Sequence, residues 1–380
     1  MKRLLLISTS FPDAAYQAGQ EAAGQFVYDF AVALARHARV TAVVPGQQSG
    51  VTQEDGVTVR RFGVPALPLS LLKPARPTDW GKIWRTMRAG QTAVAAAVQA
   101  SPPDHILALW ALPSGYWAQK TGRPYSIWAL GSDIWGLGRV PLARGALRRV
   151  LQGAVHRFAD GYQLAADVEA IGQRPCRFLP SSRRLPVSGQ KVLAARPPYK
   201  LAFLGRWHPN KGVDLLLDAL HLLLDEDWRQ IAEVRIFGGG PLADVVTAEV
   251  ERLRANGRPV TLGGYLNRRE AADLLTWADY LLLPSRIESI PVIFSDALQA
   301  NTPLIATPVG DLPRLLADGA AGILADGVSA AGLAHAIHRA LHLTPAQFTK
   351  SLSELARLFN VKQSAINLLR ILLDELEETT

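Results

Sequence analysis

The chain has 380 residues, more than one ordinary core accommodates, so its length favours two domains. An apolar share of 48% suffices for two packed cores, and a charged share of only 19% excludes general disorder. A single cysteine, Cys176, excludes an intramolecular disulfide and a cysteine-based metal cluster and fits a reducing compartment, while a net charge of +8 (41 basic against 33 acidic residues) suits nucleic acid, an anionic membrane or a phosphorylated substrate.

The opening MKRLLLISTSFP is basic then apolar, but its apolar run of about five residues is shorter than a signal core and reads as a buried first strand. No run approaches the ~20 apolar residues of a membrane span, so a cytoplasmic protein is expected. Strands follow at 3–9, 40–45, 57–62, 105–110 and 125–130, and QFVYDFAVALARH between the first two has apolar residues at helical spacing. AAGQFV (22–27) places Gly24 at that helix start, where an anion can approach. WALPSG (110–115) is a strand-end loop in which Trp110 is either core or the wall of a pocket. LGSDIW (130–135) is another, whose Asp133 either binds a ligand hydroxyl or caps the next helix.

Two stretches of this half are basic and amphipathic. Residues 67–88 mix Leu, two Trp and five basic residues, and residues 134–159 hold Arg139, Arg144, Arg148, Arg149 and Arg157 among apolar residues with no acid. Each is either an ordinary helix with a solvated basic face or a surface for an anionic membrane. No zinc finger, aromatic RNA-binding signature or heptad array is present, so nucleic acid is the weaker explanation for the charge.

PSSRRLPVSGQKVLAARPPYK (180–200) reads as a linker, after which strands recur at 200–206, 233–239, 260–264, 279–284 and 303–308 with helices between them. This grammar specifies two α/β domains in tandem, each a parallel sheet covered on both faces, with a cleft where their strand carboxyl ends face each other. The expected boundaries are 1–183 and 184–345, followed by helices over 346–380.

The second half carries the strongest chemical signals. GRWHPNKG (205–212) follows a strand and sets Arg206 and Lys211 beside the turn-forming Gly205, a cationic pair suited to the charge that develops on a diphosphate leaving group. GGGP (238–241), with Gly239 and Gly240, either lets backbone approach a nucleotide or closes a tight turn, and Tyr265 follows a Gly-Gly pair where a base pocket can border. PSRIESIPVIFSD (284–296) sets Glu288 after an apolar strand and Asp296 eight positions on. Ile290, Pro291 and Val292 between them resemble a helix start whose N–H groups, all but that of proline, are free. Two acceptors flanking an anion-binding helix start suit a ligand rich in hydroxyls and carrying phosphate, as a nucleotide-sugar is. His335, His338 and His342 share a helix face but show no neighbouring carboxylate in sequence, so neither a metal nor a cofactor is expected. No G-x-S-x-G or P-loop sequence is present, which leaves hydrolase and kinase readings without their machinery.

Taken in order, GRWHPNKGVD, FGGGP, the Glu-x7-acid segment, NTPLIATPVGDLP and GAAGILAD make residues 200–330 resemble the family-four retaining glycosyltransferases of the GT-B fold, and WALPSG and LGSDIW extend the likeness more loosely. The resemblance implies two Rossmann-like domains, a nucleotide-sugar donor and a glycan or lipid-linked acceptor. It implies that Arg206 and Lys211 bind the donor diphosphate, that Glu288 holds sugar hydroxyls, that the backbone of 290–292 contacts sugar or phosphate, and that Asp296 binds the ribose. Gly24, Trp110 and Asp133 fall on the acceptor side, and the last helix crosses back to the first domain. Three positions depart from the family pattern: Asp296 stands for a longer Glu, Leu130 for a His found in many members, and Ala23 beside Gly24. These departures motivate a rival, a catalytically silent member that binds nucleotide-sugar or a membrane partner. A nucleotide-sugar epimerase or a glycan phosphorylase of the same fold is the second alternative.

Overall fold

The structure is a computed structural model that describes residues 1–16, 22–136, 138, 140–187, 189, 191–317 and 321–377. It divides into two compact units, Met1–Arg183 with Val361–Thr380, and Arg184–Asn360. The second therefore continues past residue 345, and the chain re-enters the first at Val361.

The first unit holds strands β1 (Arg3–Ile7), β2 (Arg39–Gly46), β3 (Gly50–Glu54), β4 (Val57–Gly63), β5 (His105–Leu109), β6 (Tyr125–Ala129), β7 (Arg157–Ala159) and β8 (Arg177–Phe178), in the order β3-β4-β2-β1-β5-β6-β7-β8. Among the described residues its pairs are parallel except for the β3–β4 hairpin, which the sequence pattern does not announce because β3 is almost wholly exposed. A parallel strand is covered on both faces, and β1 shows how. Leu4 and Leu6 enter one core with Phe26, Phe30 and Trp128, while Leu5 and Ile7 enter the other with Trp117, Ile127 and Leu147.

The first of these cores is completed from the far end of the chain. Helix Val361–Glu377 places Val361, Ala365, Leu368, Leu369 and Leu372 on one stripe, and that stripe lies in the same cluster as Val27, Phe30 and Leu34 of helix Ala22–Ala35. The basic stretch 134–159 divides. Helix Pro141–Gly153 carries most of its arginines, but Arg157 starts β7 and is buried. Its guanidinium donates to the carbonyls of Pro175, Leu151, Ala154 and Val155, so Arg157 belongs to no outer basic face.

The second unit is a six-stranded, all-parallel sheet of β9 (Tyr199–Arg206), β10 (Ile231–Gly239), β11 (Val260–Gly263), β12 (Tyr280–Leu283), β13 (Leu304–Ala306) and β14 (Gly322–Leu324), ordered β11-β10-β9-β12-β13-β14. The segment expected to be a linker is strapped onto this unit. Leu185 and Leu193 are buried, and the Leu185 N–H donates to Gln299 Oε1 at 3.0 Å. The Lys191 ammonium donates to Leu275 O at 3.0 Å, to Thr302 Oγ1 at 2.7 Å and to Ala278 O. Burial pulls this ammonium down to about 7 against the opposing pull of Asp279.

Leu368 is wholly buried under the first sheet. Leu368→Ala is expected to destabilise the first unit by about 2–5 kcal/mol, read as a drop in its urea midpoint. An unchanged midpoint would mean that the last helix does not complete this core.

Candidate active site

In an open α/β sheet the ligand crevice lies beyond the strand carboxyl ends, where the strand order reverses. In the second unit that point is between β9 and β12, because the connection from β9 runs to β10 on one side while β12 runs to β13 on the other. The two loops beside it carry the motifs. Arg206 ends β9 exposed, Lys211 lies in the turn Pro209–Lys211, and Glu288 lies in the loop after β12. The Lys211 ammonium donates to Glu288 Oε1, closing an ion pair in which the Glu288 side chain is 14% exposed and the Lys211 side chain 36%.

Neighbouring contacts hold the two loops in register. Arg286 grips Asp214 in a bidentate pair at 2.8 and 2.9 Å, and also donates to Pro209 O at 2.8 Å. The Arg286 N–H reaches Asn210 O at 2.8 Å. Gly212 adopts φ +68°, and a Cβ there would lie 1.8 Å from Pro284 O, so only glycine permits this approach of the two loops. From the other side buried Thr307 donates to Ser285 O at 2.5 Å, and the Asp311 N–H donates to Ser289 O at 3.2 Å. Gly212, Asp214, Arg286 and Thr307 carry no motif that would mark them in sequence as loop-holding residues. A glycine immediately after NK and a Thr-Pro at a strand end were the available signals.

The glycine loop borders the same strand ends. Gly238 and Gly239 pair with Gly205 and Arg206, and the Trp207 N–H donates to Gly239 O at 2.8 Å. The Tyr265 ring lies close over Gly239 and is 41% exposed. On the far side of Glu288, Ile290 and Pro291 are buried, and the helix begins at Val292 rather than at Ile290, with Pro291 as an N-cap that offers no side-chain hydrogen bond. Val292 is partly exposed, so this helix start is accessible. Asp296 is not: it faces inward with no exposure and holds a partner of its own. The sequence suggests that it flanks a ligand on the same side as Glu288; in the structure it is a buried residue of the helix Val292–Gln299.

The acceptor-side residues lie in the first unit, near its own reversal point between β1 and β5. Gly24 is buried in the first turn of its helix, where a Cβ would meet the Phe11 carbonyl carbon at 2.6 Å, so its role in the structure is close packing. Trp110 follows β5 at φ +66°, half-buried, with its ring edge-on to Phe26 at 6.2 Å. Asp133 is 3% exposed, and its oxygens accept from the N–H groups of Ala111 at 2.6 Å and Leu130 at 3.4 Å. Its carboxylate therefore ties two strand-end loops together instead of standing open to an acceptor hydroxyl. Burial pushes the Asp133 carboxyl up to about 6, although backbone N–H groups oppose the shift. The absence of a carboxylate near His338 also needs correction: Asp227 lies beside it at 2.7 Å.

Two tandem Rossmann-like units, each with its strand-order reversal, define the GT-B fold class. Residues 198–342 match the family described as glycosyl transferases group 1, so the second unit is a domain of that family and the resemblance to the GT-B glycosyltransferases is borne out. A D-inositol 3-phosphate glycosyltransferase of Streptomyces bingchenggensis is 35% identical over 166 residues, 40% of this chain and 36% of that protein. The D-inositol 3-phosphate glycosyltransferase of Corynebacterium efficiens is 35% identical over 33% of this chain and 31% of its own. The match thus spans about a third of the length of these curated relatives. Over the full chain the fold resembles sucrose-phosphate synthase from Thermosynechococcus elongatus, with a TM-score of 0.75 at 18% identity and complete coverage of both chains. It also resembles Anabaena HepE in complex with UDP and glucose, with a TM-score of 0.69 at 15% identity, covering 98% of this chain and 100% of that one.

Asp133 gives a pH signature. Between about pH 4 and pH 6 the folded chain retains a proton here that the unfolded chain has released, so this group makes stability fall as pH rises through that window. Asp133→Asn is expected to lower stability overall, since one backbone N–H loses its acceptor, and to flatten that part of the urea-midpoint profile. A profile whose slope matches the parent between those pH values would show that the carboxyl titrates normally.

Proposed function

We propose that the chain transfers a sugar from a nucleotide-sugar to a hydroxyl acceptor with retention of anomeric configuration. The observation that carries this reading is the Lys211–Glu288 ion pair at the strand-order reversal of the second sheet, beside exposed Arg206. A donor replaces the pair with two complementary contacts. Its diphosphate takes Lys211 and Arg206, and the freed Glu288 carboxylate accepts from sugar hydroxyls. The helix start at Val292 directs N–H groups toward sugar or phosphate, and Gly239, Gly240 and Tyr265 border the base.

As the bond from the anomeric carbon to the diphosphate oxygen breaks, negative charge grows on the leaving phosphate and the fixed cations stabilise it. The acceptor oxygen bonds to the anomeric carbon from the same face, and its proton passes to the departing phosphate oxygen. This route needs neither an enzymic base, so Leu130 is compatible with it, nor a metal or cofactor. A ribose contact from Asp296 requires that buried carboxylate to be uncovered; otherwise it supports the helix from within.

HepE's complexes with UDP and UDP-glucose support a uridine donor, and the inositol phosphate named for the relatives supports a hydroxyl acceptor that bears phosphate. Among the described residues no helix is long and apolar enough to cross a membrane. A lipid-linked acceptor at the inner membrane face is supported by the first unit's surface. There Trp80 and Trp84 are 62% and 60% exposed, and Arg88 lies 5.4 Å over the Trp84 ring. A groove of about 650 Å³ beside them is lined by Arg60, Arg61, Arg85 and Arg88.

Glu288→Ala is expected to lower kcat by roughly 100-fold or more while UDP still binds, since it removes a group fixed at the reacting sugar. Arg206→Ala with Lys211→Ala is expected to weaken UDP binding by two to four orders of magnitude, at about 1.5–3 kcal/mol per charged contact. Near-normal turnover of the first variant, or unchanged UDP affinity of the second, would move the site elsewhere. Separately, the chain is expected to sediment with vesicles of anionic lipid at low salt and to be released as salt rises or when Trp80 and Trp84 are both replaced by Ser. Failure to bind even at low salt would favour a soluble acceptor.

A further inference from the structure

Helix Ala330–Leu341 of the second unit carries His338 and ends on His342 as its C-cap, one turn later. The short helix Asp225–Trp228 brings Asp227, distant in sequence, against them. His338 Nδ1 lies 2.7 Å from Asp227 Oδ1, and the rings of His338 and His342 stand 4.7 Å apart at 67°. One donor atom from each of the three side chains lies within 4.8 Å of the others. Asp227 is 3% exposed, and its second oxygen is fixed by the Leu224 N–H at 3.1 Å, so the carboxylate is aimed rather than free to swing. His342 is exposed and open to solvent.

We propose that Asp227, His338 and His342 form a three-ligand site for a borderline divalent metal such as zinc, with solvent as the fourth ligand. Two imidazole nitrogens and one carboxylate oxygen are a donor set suited to such an ion. Bonds of about 2.0–2.1 Å in a tetrahedral site place donors about 3.3 Å apart, a separation that lies within the 4.8 Å span of these ligand atoms. The carbonyls that end the helix add negative potential at the same place. The third histidine of the stripe, His335, is engaged elsewhere, 2.6 Å from Asp326. Nearby Arg258 is neutralised by Asp225 at 2.5 Å.

The site is remote from the Lys211–Glu288 loops. Tyr280 opens β12, and its hydroxyl meets the carbonyls of Ala340 at 3.2 Å and Leu343 at 3.4 Å, so this helix end lies at the amino ends of the strands. Bound metal would clamp the helix end to Asp225–Trp228, releasing any proton carried by the imidazoles.

The test is zinc titration of the chelator-stripped full chain against a chromogenic zinc indicator, for the parent and for His342→Gln. That substitution leaves the His338–Asp227 contact in place, and circular dichroism checks that the variant folds. One zinc per chain is expected, weakened in the variant by more than about tenfold, the lower bound measured even for outer-shell partners of a metal. If the parent competes for no zinc, or the variant binds it as tightly as the parent, the proposal is overturned and the cluster is a His338–Asp227 pair with a neighbouring ring.

Discussion

An ammonium and a carboxylate meet where β9 and β12 lie side by side, and the loops around them keep them there. Parallel connection forces the chain away from this point in opposite directions, which leaves a crevice with strand ends on both sides. The second unit's other features serve that geometry. Arg286 and Asp214 latch one loop to the other, Gly212 removes the side chain that would hold them apart, and Thr307 fixes the Glu288 loop from below. A ligand that separates the pair has to satisfy both partners, because each is partly withdrawn from water. An anion alone leaves the carboxylate unmatched, and a neutral polyol alone leaves the ammonium unmatched. That is the physical ground on which a donor carrying both phosphate and hydroxyls is proposed for this site.

The first unit solves a different problem with similar parts. Its strand-end loops 110–115 and 130–136 are joined by Asp133, a carboxylate buried at the cost of its ordinary acidity. Trp110 turns through a backbone conformation that L-residues seldom adopt, which presents its ring to Phe26. These residues shape the loops from within.

Much of this was legible in the sequence because it depends on local period. Buried parallel strands read as runs such as LLLI and YLLL, and the loops after them stood out by Gly, Pro and charge. Lys211 and Glu288 stood out by their place after strands, although their direct pairing did not. What escaped depends on contacts across many residues or on a small rotation. Asp296 stands out in sequence as an acid near Glu288, yet it is wholly buried in the helix that starts at Val292. Arg157 reads as one more surface cation until β7 places it under four carbonyls. The histidine stripe shows no carboxylate within its own helix, and only the packing of Asp225–Trp228 supplies one. Gly212 gives no hint that Pro284 will come so near.

The return of the chain at Val361 has a consequence for how the protein is made. Synthesis delivers residues 1–183 before the second unit, yet the stripe of Val27, Phe30 and Leu34 lacks Ala365, Leu368 and Leu372 until the second unit has emerged too. At ~5–20 residues per second that delay is on the order of tens of seconds. During it the nascent first unit exposes an oily strip to whatever else is nearby, while the contiguous second unit can close as soon as Asn360 clears the ribosome. A stop before Leu368 would therefore strip core residues from the unit translated before it.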